Sequence, residues 1–277
     1  MPPGVLALVL AAAFAHAGWN FLAKGAEGGA RFVWLCAAVG TLIWLPALGA
    51  AVAVDPGELG WLALGLMVGS GLLHTVYFTL LQRGYGAGDL SLVYPLARGT
   101  GPLLSGAAAI VLLGERPSAL ALAGGLIIIG AVFSLVGRAH GSREAVIFAV
   151  LTGVAIASYT LWDKHAVGPS ELSPVIYYWG TNLTVALVLL PVVLRRGTLP
   201  RGELRRASAV GLLSPLAYVL VLFALARAPV SVVAPARETS ILIGVLLGTT
   251  VLGEGEGHRR LIAAAAIVLG VTALALG

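Results

Sequence analysis

The stretch Val230-Ser-Val-Val-Ala-Pro-Ala-Arg-Glu-Thr-Ser240 places Arg237 and Glu238 inside an apolar run that continues to Leu252. In a bilayer each such ion costs about 2.5–3.5 kcal/mol at mid-depth, so it is kept only where it faces a protein interior or a watery path. The two charges are therefore expected at a functional site. An earlier stretch, Leu90-Ser-Leu-Val-Tyr-Pro-Leu-Ala-Arg-Gly-Thr100, repeats the Ser, Val and Pro placement and carries Arg98 after its proline.

Composition agrees with a membrane setting. Of 277 residues 59% are hydrophobic and only 10% charged, with a mean hydropathy of +0.98, whereas soluble domains carry about 25% charged residues. The formal charge of +5 comes from Arg residues in short connections, not from a basic face, so nucleic acid is not an expected partner. Cys36 stands alone in an apolar run, which excludes a disulfide framework. The five His residues show no ligand spacing with acids or Cys, so neither a metal nor a cofactor is expected. The first apolar run lacks a basic flank and is long enough to span, so it reads as a mature helix rather than a cleaved signal.

A spanning helix needs roughly 20 apolar residues. Cutting the chain at charged and Pro/Gly-rich breaks gives ten segments: Gly4–Ala23, Phe32–Val54, Leu59–Gln82, Leu90–Leu113, Ser118–Val136, Ala145–Trp162, Pro174–Leu194, Ala207–Ala226, Val230–Leu252 and Leu261–Leu276. The connections are short and leave no room for a soluble domain. Pro95 and Pro235 are expected hinges, since each removes a backbone bond from its helix. Gly99, Gly101 and Pro102 crowd the first copy, whose helix is expected to be the more broken.

The chain repeats itself. Ala15-His-Ala-Gly-Trp-Asn-Phe-Leu-Ala-Lys24 aligns without gaps on Ala155-Ile-Ala-Ser-Tyr-Thr-Leu-Trp-Asp-Lys164 at an offset of 140, and Pro95 and Pro235 share that offset. Leu113-Gly-Glu115 and Leu252-Gly-Glu254 match one residue out of register. The expected fold is an all-α membrane protein of ten transmembrane helices, built as five-helix repeats over 1–138 and 143–277. Five is odd, so the second repeat enters from the opposite face; the repeats are inverted and enclose a central cavity.

The paired Pro…Arg helices, the Leu-Gly-Glu turns after them and the two-times-five layout resemble the drug/metabolite transporter superfamily, specifically its EamA-type members. The resemblance covers nearly the whole chain. It implies export or exchange of small metabolites by alternating access, and it names no substrate.

Arg98 and Arg237 present planar donor forks suited to a carboxylate or phosphate. Their competing role is a structural salt bridge with Glu238, which could also serve as a proton carrier. His16, Trp19, Asn20 and Lys24 share a helical face, matched by Tyr159, Trp162 and Lys164, and this polar, aromatic stripe reads as cavity wall. For Lys24 and Lys164, snorkelling to lipid headgroups is the equal alternative. Tyr94 completes the substrate-binding set. His74, Tyr77, Tyr177, Trp179 and Asn182 could line the same space, with packing the better reading for each. Arg98, Arg237 and Glu238 are the deep ionisable groups, with Asp163 and the lysines nearer the ends, so a net positive cavity is expected.

These readings converge on a monomeric secondary transporter, multi-pass in the plasma (inner) membrane, moving a small organic anion or amino-acid-like zwitterion as exporter or exchanger. Its partners are the substrate, the bilayer and a coupling proton or counter-substrate. Proton-coupled efflux of cationic drugs through Glu238, or a passive channel, are the alternatives. No Gly-x-Ser-x-Gly, His-Glu-x-x-His or phosphate-binding loop is present, so an enzyme is not expected. Orientation stays open. The basic connections containing Arg138, Arg143, Arg195, Arg196, Arg201, Arg205, Arg206, Arg259 and Arg260 lie opposite both termini and place those termini outside, whereas the resemblance implies cytoplasmic termini.

Overall fold

The computed structural model describes residues 1–23, 29–54, 60–87, 90–134, 142–196, 202–241, 243 and 257–277. Lys24, Arg138, Arg201 and Glu254 lie outside the described residues, as do the side chains of Tyr94 and Pro95, whose backbone is helical. Every regular element among the described residues is a helix: α1 (Pro3–Ala23), α2 (Ala30–Ile43), α3 (Leu45–Val54), α4 (Trp61–Ala87), α5 (Leu90–Leu112), α6 (Ala119–Ser134), α7 (Arg143–Val167), α8 (Pro174–Arg196), α9 (Glu203–Arg227), α10 (Val230–Ala236) and α11 (Gly257–Leu276).

Of the ten expected spans, α1, α4, α7, α8 and α9 are long and apolar enough to cross a bilayer, and α2 with α3 makes a sixth if the bent pair is one span. That pair bends by 47°. Pro46, at the second position of α3, lacks the N–H that would bond the Leu42 carbonyl, so the ladder breaks there. The chain is therefore a multi-pass membrane protein.

Helices pack closely where side chains are smallest. A Cβ on Gly40 would lie 2.9 Å from the Gly211 carbonyl oxygen, joining α2 to α9, and one on Gly124 would lie 2.6 Å from the Gly270 carbonyl oxygen, joining α6 to α11. In lipid such van der Waals fit drives association, because hydrocarbon outside is as apolar as the helix surface. Besides these pairs, α1 lies along α9, α4 along α7, α5 along α7 and α10, and α8 along α2 and α4.

The expectation about broken helices is reversed. α5 runs unbroken through Pro95 and Pro102. Its Gly99 and Gly101 serve close packing instead, since an added Cβ would meet the Phe133 ring at 3.1 Å and Ile156 at 2.6 Å. The second copy is the one that stops, at Ala236. Arg237 N–H still reaches four residues back to the Val233 carbonyl (3.1 Å), but Glu238, Ser240 and Ile241 donate only three residues back. The helix thus tightens into turns at Arg237 and Glu238, which interrupt the expected run that starts at Val230; the part of that run from 244 to Leu252 lies outside the described residues.

Side chains satisfy the helix ends. Gly114, at φ +67°, turns the chain after α5, and Glu115 then accepts Val230 N–H at 2.8 Å and Ser231 N–H at 2.9 Å on its two oxygens. A carboxylate at this place covers two orphan donors and meets the positive end of α10. Ser142 Oγ caps α7 by accepting Ala145 N–H and donates to the Ala87 carbonyl of α4. Glu115→Ala is expected to lower stability by about 1–2 kcal/mol, the usual cost of a lost cap. Thermal unfolding in detergent, followed by tryptophan fluorescence, checks this; an unchanged midpoint would show that the clasp contributes nothing.

Candidate functional site

Arg98 of α5 donates through Nε to Glu238 Oε2 at 2.9 Å, and both side chains are buried. Its remaining nitrogens lie 3.4 Å from Ser240 Oγ and 3.5 Å from His16 Nε2. α1, α5 and the turns after α10 thus meet at one guanidinium. The adjacent Arg237 does not pair with Glu238; it lies over the Tyr218 ring of α9, 5.5 Å from the centroid. Among the described residues no carboxylate is within ion-pair distance of Arg237. A desolvated cation over a tyrosine face gains about 2 kcal/mol.

Arg98, Arg237 and Glu238 are 3%, 5% and 2% exposed, so the expected cavity is not open to solvent at these groups. A small crevice of about 10 Å³ lies elsewhere, between Trp44, Trp179, Asn182 and Pro215. There Trp179 donates to the Thr41 carbonyl, and Asn182 to the Ala37 carbonyl and Thr41 Oγ1, tying α8 to α2.

The aromatic stripe divides. His16 and Trp19 remain together, their rings edge to face at 5.1 Å, and the buried Trp19 indole N–H has no partner among the described residues. The Asn20 amide turns back on the His16 carbonyl of its own helix. Tyr159 joins an inner cluster, stacked on His74 at 4.2 Å and edge-on to Tyr77 and Tyr218. Trp162 does not line the arginine centre. Its indole lies against Gly69, donates to the Leu66 carbonyl at 2.9 Å and is 40% exposed.

Helix phase explains the last correction. Four residues advance a helix by about 400°, so Asp163 falls closer to the Tyr159 direction than Trp162 does. Asp163 was expected near a helix end because the sixth segment was cut at Trp162; α7 continues to Val167 and takes it inside. Its carboxylate is fully buried. Oδ1 accepts Ser70 Oγ at 2.6 Å and Tyr177 OH at 2.7 Å, and Oδ2 accepts Tyr218 OH at 2.6 Å. The cues were an acid one turn beyond Tyr159 and hydroxyls in three other apolar runs, but nothing in the sequence pairs them. With Asp163 counted, two buried arginines stand against two buried carboxylates, so the centre as a whole has no formal positive excess, contrary to the net positive cavity expected.

Lys164 does not line this centre. Its Nζ donates to the Leu225 and Ala228 carbonyls at 2.6 and 3.1 Å, closing the C-terminus of α9. Pro235 is buried, with its ring near Gly125.

A bundle of apolar helices around buried, mutually bonded charges defines a multi-pass membrane protein with a polar centre. Residues 143–276 match the model of the EamA-like transporter family. A crystal structure of a protein 18% identical superposes with a TM-score of 0.79 over 98% of each chain, a likeness of fold alone. No curated protein matches the sequence.

Arg98→Gln alone is expected to destabilise by about 3 kcal/mol or more, because it leaves Glu238 buried without its cation. Adding Glu238→Gln should restore most of the loss, since two neutral amides can bond each other. Folded yield and melting midpoint across this double-mutant cycle check the pair; additive losses would show that the two side chains do not interact.

Proposed function

We propose that the chain is a secondary transporter that carries a small organic anion or amino-acid-like zwitterion across the plasma (inner) membrane by alternating access. The two halves, 1–138 and 143–277, act as inverted five-helix repeats. Several features support this reading. Exchanging the halves turns the α1–α9 contact into α7–α4 and the α2–α9 contact into α8–α4, and returns α2–α8, α5–α10 and α6–α11 to themselves. Gly40 and Gly211 at one crossing have counterparts, 140 residues away, in Gly180 and Gly71, which pack closely at the other. Arg98 and Glu238 are themselves 140 residues apart. Under a two-fold relation only groups near the axis meet their own counterparts, so this ion pair marks the axis.

The observation that carries the substrate reading is Arg237, buried, lacking a carboxylate partner among the described residues and seated over Tyr218. Its counterpart at the same offset is Ala97, so the repeat does not supply a second fork there. The clamp is thus one arginine, with Arg98 held by Glu238 and orienting it. A carboxylate already bonded to a guanidinium is a poor proton carrier, which weighs against cation efflux through Glu238.

Proteoliposomes offered a radiolabelled panel of amino acids and small carboxylates should show saturable counterflow. Arg237→Gln should reduce it about tenfold or more, the worth of a charge-assisted hydrogen bond, at matched folded protein. Undiminished anion flux in that variant would remove Arg237 from the site, and non-saturating conductance would point to a channel.

A further inference from the structure

Asp163 is a buried carboxylate that the anion site leaves unused. The groups around it are His74 and Tyr77 on α4, Tyr159 on α7, Tyr177 and Tyr178 on α8, Tyr218 on α9, and Arg237 and Glu238 after α10, with Arg98 on α5 bonded to Glu238. None of the cations bonds Asp163 among the described residues: Lys164 serves the end of α9, and Arg237 lies over the Tyr218 ring. Its direct partners are three hydroxyls.

That choice of partners matters chemically. A guanidinium shell suits only the ionised carboxylate, because it has nothing but donors. A hydroxyl is donor and acceptor, so Ser70, Tyr177 and Tyr218 can donate to the carboxylate, and one of them can turn to accept from the acid once a proton is bound. The shell therefore accommodates both states in a place where an unpaired ion is costly. An exchange partner is close by. His74 Nδ1 lies 2.9 Å from the Ser70 carbonyl and 3.3 Å from Ser70 Oγ, which in turn donates to Asp163. Tyr218 links this carboxylate to the anion site, with its hydroxyl on Asp163 and its ring under Arg237.

We propose that Asp163 is a proton-binding site, fed through Ser70 and His74, whose occupancy is coupled to anion binding at Arg237 through the shared Tyr218. One proton adds to a carboxylate oxygen on one side of the membrane and leaves from it on the other. Protonation releases the Tyr218 hydroxyl from its ionic acceptor and so alters the support of Arg237. This rests on the transporter reading above, and its test separates the two.

The full chain is reconstituted in phosphatidylethanolamine/phosphatidylglycerol vesicles, and infrared difference spectra are taken between mildly acidic and mildly alkaline buffer. The wild type, Glu238→Gln and Arg237→Gln should share a protonated-carboxyl band that Asp163→Asn lacks. Persistence of every such band in Asp163→Asn, or none in the wild type, overturns the proposal. Should Asp163→Asn fail to fold, Ser70→Ala and Tyr218→Phe each remove one donor and must displace the pH midpoint of the band; an unmoved midpoint in both overturns it equally. With the amino-acid and carboxylate panel as probe, Asp163→Asn should keep counterflow and lose acceleration by an imposed pH gradient, and retained acceleration counts against the coupling. Arg237→Gln that keeps the band but loses flux upholds both readings. Arg237→Gln with full flux and an intact band leaves the proton site standing without the anion site.

Discussion

An arginine and a glutamate in hydrocarbon surroundings are tolerable only together, and the Arg98–Glu238 bond is the constraint around which the centre of this protein is arranged. Either ion alone would have to find water or another partner. Their union requires α5 to approach the end of α10, and it requires the backbone after Ala236 to leave the helical path so that Glu238 can turn toward Arg98. The same turn directs Arg237 elsewhere. Adjacent residues in a tight turn project in different directions, so the bond that neutralises Glu238 is also what leaves Arg237 over a tyrosine ring without a carboxylate.

Away from that centre, the fold is held by the requirement that no backbone group be stranded in lipid. Glu115 covers the first donors of α10, Lys164 covers the last carbonyls of α9, and Ser142 joins the start of α7 to α4. Each of these side chains comes from a different helix or connection than at least one of the ends it serves. Polar residues that would be liabilities on a lipid face become cross-links, and glycines such as Gly40 and Gly211 let the helices come close enough to make them.

The Asp163 cluster has a different character from the ion pair. Arg98 and Glu238 neutralise one another, whereas Asp163 is surrounded by hydroxyls whose polarity can reverse. Tyr218 belongs to both settings, through its hydroxyl at Asp163 and its ring at Arg237. A side chain with a polar end and an apolar face is well suited to joining a carboxylate to a cation that it does not touch directly.

Much of the architecture was legible because hydropathy and chain length act locally. The deficit of charge, the runs of about 20 apolar residues and the buried status of Arg98, Arg237 and Glu238 all follow from the cost of placing ions in hydrocarbon, which any single segment reveals. The repeated motifs were legible for the same reason, since an offset needs only the linear order. What only the tertiary structure decided were the partners. Glu238 took Arg98 rather than its neighbour, Trp162 faced Gly69 while Asp163 turned inward, and the break fell after Pro235 rather than among the glycines of α5. Each outcome depends on helix phase and on which distant helix supplies a donor, an acceptor or a gap. A lone acid at position 163 carries no mark of the Ser70, Tyr177 and Tyr218 hydroxyls that meet it, because three separate helices must first pack before those groups share one carboxylate.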